Sequence, residues 1–303
     1  MHEAPSADEL VASALAEDLG VPAASLLAGG DPSVLARDVT SSAVVPAGVR
    51  FSGVVRAREG GVVCGLPLAA SVYAMLSRAA ALSEPVEVYP LVAEGSAVRG
   101  GEAVAEVEGE ARAVLAGERT ALNLLSTLSG IATEARRWAD AAGGLTVTDT
   151  RKTLPGLRAL SKYAVRVGGA ANHRAGLHDM VLVKDNHLRW AGGVGEAVRR
   201  ARENVPGLLV EVEADTLAQA VEAVRAGADL VLLDNMDDAE LAEAVSAVRE
   251  AAADAGRSVR TEASGGITFE RLAGIAATGV DRVSAGAITL ARPLDFGLDE
   301  EDR

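Results

Sequence analysis

Lysine, cysteine, aromatic residues and net positive charge are all scarce in this 303-residue chain. The lone cysteine, Cys64, rules out an intrachain disulfide and a cysteine-based zinc site, and makes a reducing compartment the default. Aromatic residues supply only 3% of the chain against 49% hydrophobic residues overall, so the core must be built from Ala, Val and Leu, as in α/β folds. A net charge of −14 excludes general binding to nucleic acid or anionic membrane, both of which need a basic surface. Any anionic ligand must enter a local pocket whose field opposes that of the whole. No apolar run reaches membrane-spanning length, and the acidic start "MHEAPSADELVASALAEDLG" has no cationic leader region. A soluble, cytoplasmic protein is the expectation.

The few lysines are not scattered. Lys152, Lys162 and Lys184 are the only three, and three of the four histidines, His173, His178 and His187, share the same stretch from Asp149 to His187. That stretch is where positive charge of unusual type is concentrated.

Along the chain, residues 1–20 read as a short amphipathic helix with Leu10, Ala14 and Leu15 on one side. The Gly/Pro-containing segment "GVPAASLLAGGDPSVLARD" that follows reads as an irregular insertion. From Val44 to about Val114 the pattern is rich in strands, with a helical "LPLAASVYAMLSRAAAL" between them. Its last piece, "VEVYPLVAEGSAVRGGEAVAEVEGEARAVL", has the short strands and Gly turns of biotinyl and lipoyl carriers. Such carriers need a lysine at a hairpin tip, and none precedes Lys152, so a structural β-rich domain is expected instead. A long helix over 118–142 follows, with Ala121, Leu125, Leu128, Ala132 and Ala135 as its apolar stripe.

Strands and helices then alternate. Strands are expected at 145–150, 179–185, 208–214, 229–235, 258–264 and 280–286. Short, almost wholly apolar strands joined by helical crossovers imply a buried parallel sheet. Six such units favour an α/β barrel related to the (β/α)₈ type, with an open doubly wound sheet as the alternative.

Each strand ends in polar residues: Asp149-Thr150-Arg151-Lys152, Lys184-Asp185-Asn186, Glu211 with Glu213, Asp234-Asn235, Glu262 to Ser264, and Ser284 to Gly286. Chemistry in such barrels is assembled at the C-terminal rim. One charged strand end is an ordinary cap or solvated loop; six together define a site. Its cationic part is Arg151, Lys152, Lys162, His173, Arg174 and Lys184. Arginine forks and lysine point charges both suit carboxylates and phosphates. Its acidic part, Glu213 and Asp234, suits Mg²⁺ held through one or two carboxylates and substrate phosphates, or sugar hydroxyls. The glycine-bearing turns "EASGGIT" and "VSAGAIT" expose backbone N–H groups that can cradle phosphate. The residues alone therefore describe a barrel enzyme for a phosphorylated, polycarboxylated small molecule.

The motifs "GERTALNLLSTLSGIAT", "DTRKTLPGLRALSKYAVRVGGAANHR", "DMVLVKDNH", "EVE", "LLDN", "EASGGI" and "GVDRVSAGAIT" resemble the quinolinate phosphoribosyltransferase family. "LAEDLG", "DVTSSAVVP" and "AREGGVVCGLP" resemble its N-terminal domain, so the likeness covers nearly the whole chain in order. It implies a type II phosphoribosyltransferase: an N-terminal α/β sandwich over 1–117, a linking helix 118–142, an incomplete α/β barrel over 118–290, and a tail, 291–303, returning toward the first domain. It implies a pentosyl transfer with Mg²⁺ in de novo NAD synthesis. Quinolinate and phosphoribosyl pyrophosphate would give nicotinate mononucleotide, pyrophosphate and CO₂. By the same resemblance Arg151, His173, Arg174 and Lys184 would hold the quinolinate carboxylates, with Thr150 alongside. Arg119 would complete the neighbouring site in a homodimer or higher homo-oligomer. Lys152, Glu213 and Asp234 would face phosphoribosyl pyrophosphate and Mg²⁺, while Ser264, Gly265, Gly266, Ala285, Gly286 and Ala287 would cradle phosphate.

Two departures from the family pattern stand out: the longer segment before "TSSAVVP", and Leu290-Ala291 where His-Ser is common. Competing readings are a paralogue using another pyridine acid or attached to molybdate transport, a barrel aldolase with Lys184 as Schiff base, and a nucleotide sensor that retains the pocket.

Overall fold

The computed structural model describes residues 7–301, so the first six residues of the expected N-terminal helix and the last two of the tail lie outside it. In chain order the helices are α1 (Asp8–Leu19), α2 (Ala23–Ala28), α3 (Val39–Val44), α4 (Leu66–Ala79), α5 (Ala111–Ala141), α6 (Arg158–Gly168), α7 (Asp185–Ala191), α8 (Val194–Asn204), α9 (Leu217–Ala226), α10 (Asp238–Asp254) and α11 (Leu272–Ala277). The strands are β1 (Arg50–Ala57), β2 (Gly61–Val62), β3 (Glu87–Pro90), β4 (Ala97–Val98), β5 (Ala103–Glu110), β6 (Thr146–Thr148), β7 (Val181–Val183), β8 (Val210–Ala214), β9 (Leu230–Asp234), β10 (Arg260–Ser264), β11 (Arg282–Ser284) and β12 (Phe296–Glu300).

Two units emerge. The first comprises residues 1–134, 155–168 and 291–303; the second comprises 135–154 and 169–290. The boundary expected at 117/118 thus moves into α5, which begins at Ala111 and runs on through Ala141 without a break. Its expected stripe, Ala121, Leu125, Leu128, Ala132 and Ala135, is buried throughout.

The first unit is a four-stranded antiparallel sheet in the order β12-β1-β5-β3, with a separate β2-β4 pair. The C-terminal strand enters this sheet by pairing Phe296 with Ala57 and Glu300 with Gly53. Buried β1 and β5 side chains (Val55, Ala57, Val104, Ala105, Val107) form one core with Val72, Tyr73 and Leu76 of α4 and Leu15 of α1. On α1 the buried face is Val11, Ala12, Leu15 and Leu19, one step round from the expected Leu10 and Ala14. The segment expected to be irregular, 20–38, instead holds the short helix α2 and a 3-10 turn, and α3 follows directly. Leu26, Val34 and Leu35 bury into the same core, and the Asp31 and Asp38 side chains cap the turns.

The sequence pattern also placed residues 155–168 with the barrel, whereas they belong to the first unit. The physical reason is the Glu94 carboxylate. It accepts the N–H groups of Gly65 and Leu66 at the start of α4, at 3.0 and 2.9 Å, and the Tyr163 hydroxyl of α6 at 2.7 Å. Leu160, Tyr163, Ala164 and Val165 are buried on α6. This single acid joins the start of α4 to the middle of α6, which are far apart in sequence.

The second unit is a six-stranded, wholly parallel sheet in the order β6-β11-β10-β9-β8-β7. Each strand from β8 to β11 lies beside its predecessor, and β11 pairs with β6, so the winding never reverses. A doubly wound sheet would reverse at a switch point. The structure is therefore an incomplete barrel, with a Thr148–Ala171 bridge beside β6. The strands are buried as expected, β8 and almost all of β9 completely. Helices between them start on side-chain caps: Thr216 on α9 and an Asp237/Glu240 capping box on α10. Gly227 ends α9 in the left-handed conformation, which its missing Cβ permits.

Candidate active site

The six strands deliver their C-terminal residues to one cavity of about 600 Å³ in the second unit. It is lined by Thr150, Arg151, Lys152, His173, Arg174, Lys184, Glu213, Asp234, Ser264, Gly265 and Gly266, all expected at the site, and by Glu262 and Ser284 among others. Because alternate strand residues face one way, two levels result. Glu213, Ser264 and Ser284 form an upper level on β8, β10 and β11. Glu211, Glu262 and Arg282, two residues earlier on the same strands, lie beneath.

In the upper level, Lys184 directly follows β7 and its ammonium pairs with the Glu213 carboxylate. Asp234 ends β9 and accepts a hydrogen bond from the neighbouring Asn235 side chain at 2.5 Å. Burial, then the nearby Glu213 charge, push the Asp234 carboxyl above its ordinary value, with Lys184 opposing. Gly265 has φ +80°, and a Cβ there would lie 2.4 Å from Asn235 Oδ1, so this turn requires glycine.

The opposite wall is cationic. Arg151 has a buried Nε with no hydrogen-bond partner. Burial, then the neighbouring Arg151 guanidinium, lower the pKa of Arg174. Two guanidinium groups held this close favour an anion between them. Lys152 is exposed at the rim. Its amide donates to Thr150 Oγ1 at 3.0 Å, and its carbonyl accepts the Thr289 hydroxyl at 2.7 Å.

The segment bearing His173 and Arg174 is fixed from below by Asp149, which is fully buried at the end of β6. Its carboxylate takes the His173 amide at 2.9 Å and the Asn172 side chain at 2.7 Å. The sequence showed Asp149 only as one more polar strand end; its grip on a strand-like segment more than twenty residues away carries no local signal.

Two expectations meet a different arrangement. His173 was expected on a quinolinate carboxylate. Its Nε2 lies instead 3.1 Å from Glu211 and 3.4 Å from Glu262, and its Nδ1 accepts the Arg174 amide at 2.8 Å. Burial opposes protonation of this ring, but the hydrogen bonds to Glu211 and Glu262 win and lift its pKa to about 9. The Arg174 amide, aimed at Nδ1, works against the second proton. Lys184, expected beside the same ligand, is paired with Glu213.

Other expected residues lie elsewhere. Arg119 is on α5 in the first unit, 65% exposed, with Glu118 as a neighbour at 3.8 Å. Lys162, grouped with the rim from sequence, is a buried residue of α6 in the first unit. Ala285, Gly286 and Ala287 follow β11 but do not line the cavity; Ala285 is buried and its amide bonds to the Thr148 carbonyl at 3.0 Å. Gly286 instead makes room for Lys152, whose Cδ would lie 3.1 Å from a Cβ there. Arg282 was not singled out at all.

Fold and cavity together define an α/β-barrel enzyme whose mouth gathers positive charge for small polyanions. The comparisons narrow this. Residues 38–129 match the N-terminal domain, and residues 131–299 the C-terminal domain, of quinolinate phosphoribosyl transferase. The chain is 43% identical over 265 residues to the carboxylating nicotinate-nucleotide pyrophosphorylase of Mycobacterium leprae, covering 86% of this chain and 90% of that protein. It is 40% identical over 296 residues to the Homo sapiens protein of that name, covering 95% and 90%. The solved nicotinate-nucleotide pyrophosphorylase of Francisella tularensis superposes with TM-score 0.84 at 32% identity, over 99% of this chain and 98% of that one. The chain belongs to the quinolinate phosphoribosyltransferase family. Among the described residues no helix is long and apolar enough to cross a membrane.

Proposed function

We propose that the chain transfers phosphoribosyl from phosphoribosyl pyrophosphate to quinolinate, with loss of CO₂, giving nicotinate mononucleotide and pyrophosphate for NAD synthesis in the cytoplasm. The observation that carries this reading is the convergence of Arg151, Lys152, Arg174 and Lys184 on one cavity in a chain of net charge −14. A dicarboxylate and a pyrophosphate need that many cations in one place.

In this reading Arg151 and Arg174 hold the quinolinate carboxylates, and Lys184 exchanges Glu213 for them when the ligand enters. Lys152 stabilises the departing pyrophosphate. Departure leaves positive charge on the ribose carbon, as at a glycosidic centre, and Glu213 and Asp234 lie where they tolerate that charge. The pyridine nitrogen attacks and becomes cationic. It then withdraws electrons from the adjacent ring carbon, so that its carboxylate leaves as CO₂ and the electron pair left on that carbon takes a proton from water. No acid–base pair is needed, because the pocket orients and neutralises.

The donor set fits Mg²⁺. Among the described residues no ion pair joins Asp234 to a lysine or arginine; burial and the nearby Glu213 raise its pKa, and an added cation would relieve the crowded charge. Asp234 and Glu213 would hold the ion with substrate oxygens, and its charge would neutralise the leaving phosphates. Arg119, exposed on α5, would serve a neighbouring subunit's pocket in a homodimer or larger assembly.

The test is an assay of purified protein with quinolinate, phosphoribosyl pyrophosphate and Mg²⁺, following CO₂. Stoichiometric release supports the reading; tight quinolinate binding without release contradicts it. Arg119→Ala and Lys152→Ala proteins, each inactive alone, should regain partial activity when mixed. A mixture no better than its parts would refute the shared site.

A further inference from the structure

Under the mouth of the barrel lies a second set of charges that the reaction does not use. Glu211 on β8 and Glu262 on β10 are both fully buried, and β11 contributes Arg282, whose side chain is 13% exposed. Arg282 Nη2 donates to Glu211 at 2.8 Å, and its Nε is paired with Glu262. His173 Nε2 meets both acids and lies 3.5 Å from Arg282 Nη2. His173, Glu211 and Glu262 could by spacing ligate a metal ion, but the Arg282 guanidinium already supplies the positive charge between the carboxylates. Arg282 supplies the full positive charge facing the two anions, and both His173 nitrogens are engaged: Nε2 on the acids, Nδ1 accepting the Arg174 amide. A line of contacts runs from Arg282 through the carboxylates and the imidazole to the backbone of Arg174.

We infer that Arg282 is a positioning residue for the wall of the pocket that binds the pyridine dicarboxylate. By neutralising the buried acids it keeps His173 seated and leaves the Arg174 and Arg151 side chains free for the ligand. Two carboxylates in a low-dielectric interior with only one partner would recruit the next cation. That cation is Arg174, which is next in the chain to His173 and within electrostatic reach of Glu211. Glu213, Asp234 and Lys152 stand on the upper level and would keep their places. The inference rests on the roles proposed above for Arg151 and Arg174.

Steady-state kinetics with each substrate varied in turn test it. Arg282→Met should raise the KM for quinolinate about tenfold or more, while the KM for phosphoribosyl pyrophosphate changes less than about twofold. Adding Glu211→Gln to Arg282→Met removes one anion with the cation and should recover most of the lost affinity. Arg282→Lys, whose ammonium cannot fork between two acids, should fall between wild type and Arg282→Met, and it serves alone if the methionine variant does not fold. Unchanged quinolinate KM in Arg282→Lys and in any folded methionine variant overturns the inference. So does an equal rise in both KM values, or a double variant no better than the single one. Arg174→Ala separates the two levels of argument. If it leaves quinolinate KM unchanged, the pocket assignment itself fails. If it raises that KM and the Arg282 variants do not, only the role of Arg282 fails.

Discussion

On β8, Glu211 and Glu213 sit two residues apart on one face, and their surroundings differ completely. Glu211 has no exposed surface and is held by Arg282 and His173; Glu213 reaches the cavity, where Lys184 is its partner with a side chain 43% exposed. The same contrast repeats along β10 and β11, where Glu262 and Arg282 lie below Ser264 and Ser284. One level closes its charges on themselves, where water cannot compete. The other leaves its cations, Arg151, Lys152 and Arg174, without carboxylates of equal number, open to a ligand. Identical residue types therefore serve stability at one level and binding at the next, separated by a single strand alternation.

Breaking the upper level should abolish chemistry and spare the fold. Lys152→Ala is expected to lower kcat by about a thousandfold, as for loss of a group that stabilises developing charge, with an unchanged melting curve because Lys152 is exposed. A similar kcat with a collapsed melting temperature would erase the distinction.

Breaking the lower level should do the reverse first. Glu262→Ala strands Arg282 and His173 in the interior, and loss of one partner of a buried pair costs about 3–5 kcal/mol. Urea unfolding measures this; a change below 1 kcal/mol, on the scale of surface pairs, would show the cluster to be hydrated.

Titration should sharpen the contrast. The His173 pKa is raised from 6.5 to about 9, so protonation favours the folded state. Its contribution is complete below pH 6.5 and disappears as pH rises through 9. The melting temperature should fall across that window, and His173→Asn should flatten the fall. A wild-type curve level from pH 6.5 to 9 would contradict the ion pairing.

The smallest effect is expected at Gly286. Its Cβ would meet the flexible Lys152 stem at 3.1 Å and Thr150 Oγ1 at 3.5 Å, with no positive φ to add strain. Gly286→Ala should raise the KM for phosphoribosyl pyrophosphate a few fold, roughly 1 kcal/mol or less, and leave the KM for quinolinate alone.

Much of the upper level was legible in the sequence, because parallel strands end in chemistry and the ends of "DMVLVKD", "LLVEVEA" and "DLVLLDN" are short and plain. All six expected strands enclose the observed ones. The lower level was not legible. Arg282 opens its strand, where an arginine reads as a solvated end, and only the register Glu262–Arg282 between β10 and β11 shows its partner. The inward turn of His173 was hidden for the same reason: its two acids come from strands nearly forty and ninety residues on. Local pattern likewise could not show that α6 joins the first unit, since the tie is a Glu94–Tyr163 hydrogen bond between segments far apart.

The most direct measurement is a crystal structure with quinolinate bound. The account predicts its two carboxylates against Arg151 and Arg174 inside the barrel mouth, with Lys184 released from Glu213 and Arg282 still seated on Glu211 and Glu262. Quinolinate found away from those guanidinium groups, or Arg282 turned up to meet it, would contradict the division of charge on which everything here depends.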